Sequence, residues 1–312
     1  VVQVSTSAGT GAEGRPAGET AGAVAEQGRL RVAVTGAAGR MGREVVQAVG
    51  AAPDLVLVGA VEPAFAAPGA RASAEEQALL DRGVATFSQV APCLEKTRPD
   101  VLVDFTTAQA APTIIRAALE RGVRVVSGTT GIPPTELAGL ARLCDRLGLG
   151  AVIVPNFSLG AAVLAILART AAPYFRAAEI VELHHDAKRD APSGTALALA
   201  RLVGRHLAGR APTAIPAGEA APLVAAGRDE TAAPSRGLDV DGVPVHSVRL
   251  SGLVAHHELL FASTGETLSL RHDSTSRACF MPGVLLAVRS VPRLRALVTS
   301  LEALLEMVAG GR

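Results

Sequence analysis

The sequence predicts an α/β protein in two parts: a doubly wound parallel sheet, then a second, smaller α+β domain. Three observations predict it. Short β-branched runs alternate with amphipathic stretches from Leu30 to about Val154, and such alternation builds a parallel sheet with helices on both faces. The runs themselves are apolar on both sides, as strands covered on two faces must be. Beyond Pro155 the rhythm changes to helix, strand and helix, and then to three strand-like runs close together.

Residues 1–29 carry no hydrophobic period, no aromatic residue and many Gly and Ala. They bury too little apolar area to offset the entropy of ordering, so a flexible tail is expected. Leu30–Thr35, Leu55–Val61, Val101–Phe105, Val123–Ser127 and Ala151–Val154 read as strands. Between them Arg40–Val49, Gln109–Arg121 and Pro134–Leu147 place apolar residues at helical spacing. In the second part Ala161–Thr170 reads as a helix, Ala178–His184 as a strand and Thr195–Leu207 as a helix. A Pro/Gly/Ala-rich stretch from Gly209 to Val243 reads as a long loop. His246–Leu250, Glu258–Ala262 and Thr267–Arg271 then read as strands near enough to pair antiparallel, and Gly283–Val308 as a helical segment packing back on the first domain. The expected division is 30–157 with 278–312 for one domain and 158–277 for the other. There is no internal repeat.

Bulk composition narrows the function. Hydrophobic residues make up 49% and charged residues 19% of the chain, the balance of a folded globular protein. Thirty basic residues face 29 acidic ones, and no basic run stands out, so neither the whole field nor a local patch would gather nucleic acid or an acidic membrane. One Tyr, no Trp and seven Phe leave little surface for stacking on bases. Cys93, Cys144 and Cys279 are scattered without CxxC spacing, which argues against a disulfide framework or a zinc site and fits a reducing cytosol. The apolar stretch at 161–172 is broken by Arg169 and falls short of the ~20 residues that span a bilayer. No basic start with an apolar core marks a signal peptide. A soluble, cytoplasmic protein is expected.

The first strand runs into Gly36-Ala37-Ala38-Gly39-Arg40-Met41-Gly42 and then a helix. Such a turn removes side chains where a pyrophosphate must approach the backbone, and the helix start offers free N–H groups and a positive dipole end. The spacing is G-x-x-G-x-x-G, a variant of the commoner G-x-G-x-x-G, and a bare strand–helix turn would look much the same. The next strand ends at Glu62, about twenty residues on, where an acid meets the adenosine ribose of a dinucleotide. Strand, turn, helix, strand and acid in register make this a Rossmann-type site for NADH or NADPH. Glu62 favours NADH, because its carboxylate repels a 2′-phosphate, whereas Arg40 and Arg43 are cations able to steady one. Asp104-Phe105-Thr106-Thr107 and Gly128-Thr129-Thr130-Gly131 also follow apolar strands, where ligands collect in open parallel sheets.

The densest chemistry lies in Glu182-Leu183-His184-His185-Asp186-Ala187-Lys188, followed by Ser193-Gly194-Thr195 at the start of a helix. Donors on Ser193 and Thr195, with the free amides of that helix start, form an anion pocket. His185 and Lys188 would attract the same anion and help protonate a reacting carbon. A carboxylated substrate fits this arrangement. Two alternatives stand beside it. The histidines could be a metal pair, although neighbouring strand residues point to opposite faces. They could also be surface histidines, with Ser193 a simple helix cap.

At these residues the chain resembles the dihydrodipicolinate (4-hydroxy-tetrahydrodipicolinate) reductase family, including its actinobacterial members. The matching strings are V-A-V-T-G-A-A-G-R-M-G-R, D-F-T-T, G-T-T-G, P-N-F-S-L-G and E-L-H-H-D-A-K-R-D-A-P-S-G-T-A, with G-L-V-A-H-H-E-L-L-F later, and the resemblance spans about Leu30 to Leu305. It implies NAD(P)H held on Gly36, Ala37, Ala38, Gly39, Arg40 and Met41, a small dicarboxylate substrate, and tetrahydrodipicolinate as product. It implies His184 as proton donor or acceptor and Lys188 as proton donor. His185, Gly194 and Thr195 fall where the family binds substrate carboxylates, and Ser193 opens the same turn. Gly128, Thr129 and Thr130, with Val154, Pro155, Asn156 and Phe157, fall where it lines the nicotinamide. A homotetramer assembled through the second domain is implied, and no metal. Pro63 stands where some members carry an Arg that helps hold a 2′-phosphate. The rival enzyme reading is another two-domain dehydrogenase, acting on a semialdehyde or sugar, which would call for a Cys nucleophile or a different lysine motif. A non-catalytic NAD-sensing protein is the rival outside enzymes.

Overall fold

A computed structural model describes residues 28–65, 71–208 and 236–310. Most of the expected tail, and the loop from Gly209 as far as residue 235, lie outside them.

Seven strands form the first sheet: β1 (Leu30–Thr35), β2 (Leu55–Val61), β3 (Ala85–Phe87), β4 (Val101–Asp104), β5 (Arg124–Ser127), β6 (Ala151–Ile153) and β12 (Leu297–Val298). Their order is β12-β6-β5-β4-β1-β2-β3, and every neighbouring pair is parallel. Parallel strands need crossovers, supplied by α1 (Arg40–Ala51), α2 (Ala74–Leu80), α3 (Val90–Thr97), α4 (Ala111–Leu119) and α5 (Pro134–Leu147). Alternation along β1 shows why both faces are covered. Val32 and Val34 enter a core with Val45 and Val49 of α1, whereas Ala33 between them joins Ile115, Leu119 and Leu140 on the opposite side. Each fully buried Leu or Ile there contributes roughly 1.5–3 kcal/mol. The strand order reverses between β1 and β4, and ligands collect at the carboxyl ends of strands at such a switch point.

The second sheet has the order β11-β10-β7-β9-β8, from β7 (Ala177–His184), β8 (Leu238–Val240), β9 (Val243–Arg249), β10 (Ala255–Ser263) and β11 (Glu266–Ser274). One face is covered by α6 (Leu159–Ala171) and α7 (Gly194–Ala208): Leu164 and Ala168 from the first, Leu199 and Val203 from the second, pack on Ile180, Leu259 and Phe261. The three late runs do not simply pair with one another. β10 and β11 are antiparallel neighbours, but β7 lies between β10 and β9 and runs parallel to β9. Sequence order concealed that insertion, because β7 lies far upstream of both.

The C-terminal segment departs from a single helical stretch. α8 (Met281–Ser290) ends in a short 3-10 turn at Val291–Arg293 before β12 and α9 (Leu301–Gly310). Pro292 cannot donate to the helical ladder and its ring crowds the preceding turn. The chain therefore extends, and Leu297–Val298 pairs with Ala151–Val152 at the sheet edge.

Candidate active site

The glycine turn is built by close approach. Gly36 has φ +75°, and a Cβ on it would lie 2.4 Å from the Phe105 carbonyl oxygen. A Cβ on Gly42 would lie 1.9 Å from the Gly36 carbonyl oxygen, so the first turn of α1 can sit this tightly on the loop only without a side chain there. The amides of Gly36 and Ala37 donate to the Val61 carbonyl at 3.0 and 3.2 Å, and the Ala38 amide donates to the Glu62 carboxylate at 3.2 Å. Glu62, at the tip of β2, thus braces the loop. Gly39 caps α1 with no side-chain acceptor, which leaves first-turn amides for an anion. Arg43 is engaged with Glu75 at 2.5 Å, both side chains being more than half exposed, while Arg40 stands exposed beside the turn.

The neighbouring strand ends are locked by Asp104. Its carboxylate is fully buried and accepts four hydroxyls: Thr35 at 2.9 Å, Thr106 at 2.7 Å, Ser127 at 2.7 Å and Thr129 at 2.8 Å. One acid thereby ties together the ends of β1, β4 and β5. Above it the Phe105 ring packs on Phe157, with centroids 5.9 Å apart. Gly128 makes room for Phe105, since a Cβ there would lie 2.1 Å from the ring.

β7 brings the other half of the site. His184 at its end is buried, and so is Glu182 two residues earlier on the same face. The Glu182 carboxylate accepts from His184 Nδ1, from Arg249 of β9 at 2.7 and 3.1 Å and from the Ser193 amide at 3.2 Å. Burial pushes this carboxyl upward, but hydrogen bonds from Arg249, Ser247 and His184 outweigh it and hold Glu182 below the usual range. Burial lowers His184; Glu182 opposes that, and the charges of Lys188 and Arg249 reinforce it. His257 of β10 lies edge-on to His184, with centroids 5.4 Å apart, and meets the Ser193 hydroxyl at 3.2 Å. Burial, helped by nearby His184, pushes His257 down to about 4. The Ser193 hydroxyl also accepts the Ala196 amide at 3.2 Å, so it caps α7. Lys188 is half-buried, its ammonium 2.8 Å from both carboxylate oxygens of Asp190.

A cavity of about 720 Å³ joins the two halves, within the range that holds small ligands. Thr130, Pro155 and Asn156 contribute from the first sheet's edge; His184, Lys188, Ser193, Gly194 and Thr195 contribute from the second domain. The remaining expected residues sit elsewhere. Val154 and Phe157 are core residues, and Thr129 is buried against Asp104. Gly128 is half-buried over Phe105. His185 is exposed, outside the cavity walls, so the two histidines do not point together as a metal pair would. Gly36–Met41 and Glu62 lie together at the ends of β1 and β2, also outside those walls. Among the described residues no group of three or more His, Cys, Asp or Glu is placed to hold a metal, and no helix is long and apolar enough to cross a membrane.

Sequence reasoning gave Glu182, Arg249 and His257 no role. Glu182 had a usable signal, because residues two apart on a strand share a face. The other two contacts cross 67 and 64 positions of sequence, beyond the reach of local patterning.

The chain matches the family model for the dihydrodipicolinate reductase N-terminus over residues 30–157 and that for its C-terminus over 160–305. It is 45% identical over 223 residues to the 4-hydroxy-tetrahydrodipicolinate reductase of Geobacillus kaustophilus, covering 70% of this chain and 79% of the relative. The enzyme of the same name from Bacillus velezensis is 40% identical over 256 residues, 81% of this chain and 90% of the relative. Among solved structures, a dipicolinate-bound dihydrodipicolinate reductase from Paenisporosarcina sp. TG-14 superposes with a TM-score of 0.71 at 33% identity, over 88% of this chain and 99% of that one. A scyllo-inositol dehydrogenase from Lactobacillus casei shares the fold alone, with a TM-score of 0.57 at 13% identity over 90% and 93% of the two chains.

Proposed function

Because the chain belongs to the dihydrodipicolinate reductase family, we propose that it reduces 4-hydroxy-tetrahydrodipicolinate to tetrahydrodipicolinate, with loss of water, in lysine and diaminopimelate biosynthesis. One observation carries this reading beyond membership. The cavity joins an imidazole, an ammonium and a Ser-Gly-Thr helix start on one wall to Thr130 and Asn156 on the other.

NADH or NADPH fits the first sheet on the structure's own terms, because the glycine turn packs closely against the sheet and its Gly39 cap leaves the first-turn amides of α1 without a side-chain acceptor. Gly36–Met41 would take the pyrophosphate on loop and helix amides, and Glu62 the adenosine ribose. Thr130, Pro155 and Asn156 would flank the nicotinamide, with Gly128, Thr129, Val154 and Phe157 supporting that wall from behind. When bound, the cofactor supplies hydride to the substrate ring. The chain's own residues hold the ring and complete the proton balance. The Ser193 and Thr195 hydroxyls, the Gly194 and Thr195 amides and the Lys188 ammonium bind the carboxylates, while His185, exposed just past the end of β7, lies outside the cavity walls. Loss of the 4-hydroxyl with a hydrogen of the neighbouring ring carbon, as water, leaves a carbon–carbon double bond; its reduction adds one hydride and one proton, and the proton goes to ring carbon from Lys188 Nζ or His184 Nε2. The apolar surfaces of α6 and α7 close the cavity behind the ring and limit water.

We further infer a cytoplasmic homotetramer. The second sheet's open face supports the assembly: it carries Val181, Leu183 and a 38%-exposed Leu260 beside the Glu258–Arg271 pair, a mixed surface suited to its own copy. A monomer mass by light scattering at micromolar concentration would contradict it. For the activity, the purified chain is coupled to the preceding synthase and nicotinamide absorbance is followed. Oxidation that depends on the synthase product is expected; none with either cofactor, from a folded sample, would overturn the assignment.

A further inference from the structure

Glu182 is fully buried, carries a charge and is not itself exposed in the cavity, but sits directly behind residues that line it. A buried carboxylate is costly unless its lone pairs are matched to donors. Here the donors are Arg249 in a two-pronged contact at 2.7 and 3.1 Å, the Ser247 side chain, the Ser193 amide at 3.2 Å and His184 Nδ1. Arg249 alone would neutralise the charge. The imidazole and the turn amide are extra partners, and both belong to residues that line the cavity.

We propose that Glu182 is the positioning residue of the reductase site: it fixes the proton of His184 on Nδ1, so that Nε2 is the nitrogen presented to the substrate, and it anchors the Ser193 turn that receives the carboxylates. This rests on the reductase reading for the identity of the substrate, but not for the tautomer. A neutral imidazole has one N–H, and a carboxylate at Nδ1 decides which nitrogen carries it. The same carboxylate favours the imidazolium whenever Nε2 takes up a proton, which is what a group passing protons to carbon requires. The charged and titratable groups facing His184 are Glu182 on its own strand, Arg249 of β9, Lys188 of the following loop and His257 of β10. Of these, only Glu182 favours the protonated ring; burial, Lys188 and Arg249 all oppose it. The strand geometry serves this arrangement, since residues two apart put carboxylate and imidazole on one face, with no loop between them to flex.

The variant that isolates the charge is Glu182→Gln, which keeps the size and one acceptor oxygen. We expect kcat to fall by about 100-fold, the dissociation constant for dipicolinate to rise by less than about fivefold, and the alkaline limb of the kcat profile, where the proton donor loses its proton, to move to lower pH. Glu182→Asp should recover part of kcat. A loss confined to thermal stability, with kcat and its pH profile unchanged, would overturn the proposal. A second measurement needs neither turnover nor a variant in place of Glu182. Nitrogen NMR of the wild-type chain with labelled histidine, assigned with His184→Gln, should show His184 protonated at Nδ1 when neutral. The other tautomer would overturn the proposal even if the enzyme is fully active; the expected tautomer in a protein that turns nothing over would defeat the reductase reading alone.

Discussion

His184 and Lys188 sit on one wall of the cavity, and neither approaches the glycine turn on β1. Changing them should therefore harm chemistry and spare cofactor binding. His184→Ala and Lys188→Ala should each lower kcat by roughly 100- to 10,000-fold, the range for removing a group that moves protons. NADH affinity, read by fluorescence titration, should stay within about threefold; a parallel loss of affinity would put both residues in the cofactor site. Glu62 makes the opposite prediction. Glu62→Ala removes the proposed ribose partner, which also braces Ala38, so it should weaken NADH more than NADPH. An unchanged ratio of the two dissociation constants would leave Glu62 as a loop brace only. At this scale the sequence revealed the residues that form motifs, because GxxGxxG and HHxxK-to-SGT spacings encode local geometry. It did not reveal Arg249 or His257, whose roles arise only when β9 and β10 flank β7. Nor did it reveal that Phe157 and Val154 turn into the core, although a run such as Val152–Val154 cannot put every side chain on one side.

Elements carry the next set of consequences. α1 sits so close to β1 that Gly42→Ala must push the Gly36 carbonyl away. It should cost roughly 1–3 kcal/mol of stability by overpacking and weaken NADH at least tenfold; a variant with wild-type urea midpoint and affinity would contradict this account of the turn. β10 places His257 beneath the start of α7, where it is buried and held down to about 4 from 6.5. The folded state then binds its proton less readily than the unfolded chain. The stability it contributes is present above pH 6.5 and is lost as pH falls toward about 4, a span worth roughly 3 kcal/mol. Urea denaturation should show a shallower loss between those limits for His257→Gln than for the wild-type chain, and identical slopes would refute the assignment. Strands β1, β2 and β4 to β6 were legible because each is a compact β-branched run. β3 (Ala85-Thr86-Phe87) and the two-residue β12 were not, since neither sits in a longer β-branched run as the three-residue β6 does; they exist because the neighbouring strand offers an unpaired edge.

For the molecule as a whole, two sheets, the first with a core on each face and the second with a core on one, meet at one cavity. The first sheet ends in backbone amides and hydroxyls braced by Asp104, a surface that suits phosphate and nicotinamide. The second ends in Glu182, His184, Lys188 and the α7 start, a surface that suits carboxylates and proton transfer. The dehydrogenase fold is shared with an inositol enzyme across both halves, so the fold alone does not assign the reaction; in the proposed function the side chains of the second half carry it. The measurement that tests this division most directly is a crystal structure with NADH and dipicolinate bound together. The account predicts dipicolinate carboxylates on Ser193–Thr195 and Lys188, the ring stacked against a nicotinamide held beside Thr130 and Asn156, and His184 Nε2 turned to the ring edge. Dipicolinate seated away from these residues, or His184 and Lys188 facing solvent with both ligands in place, would contradict it.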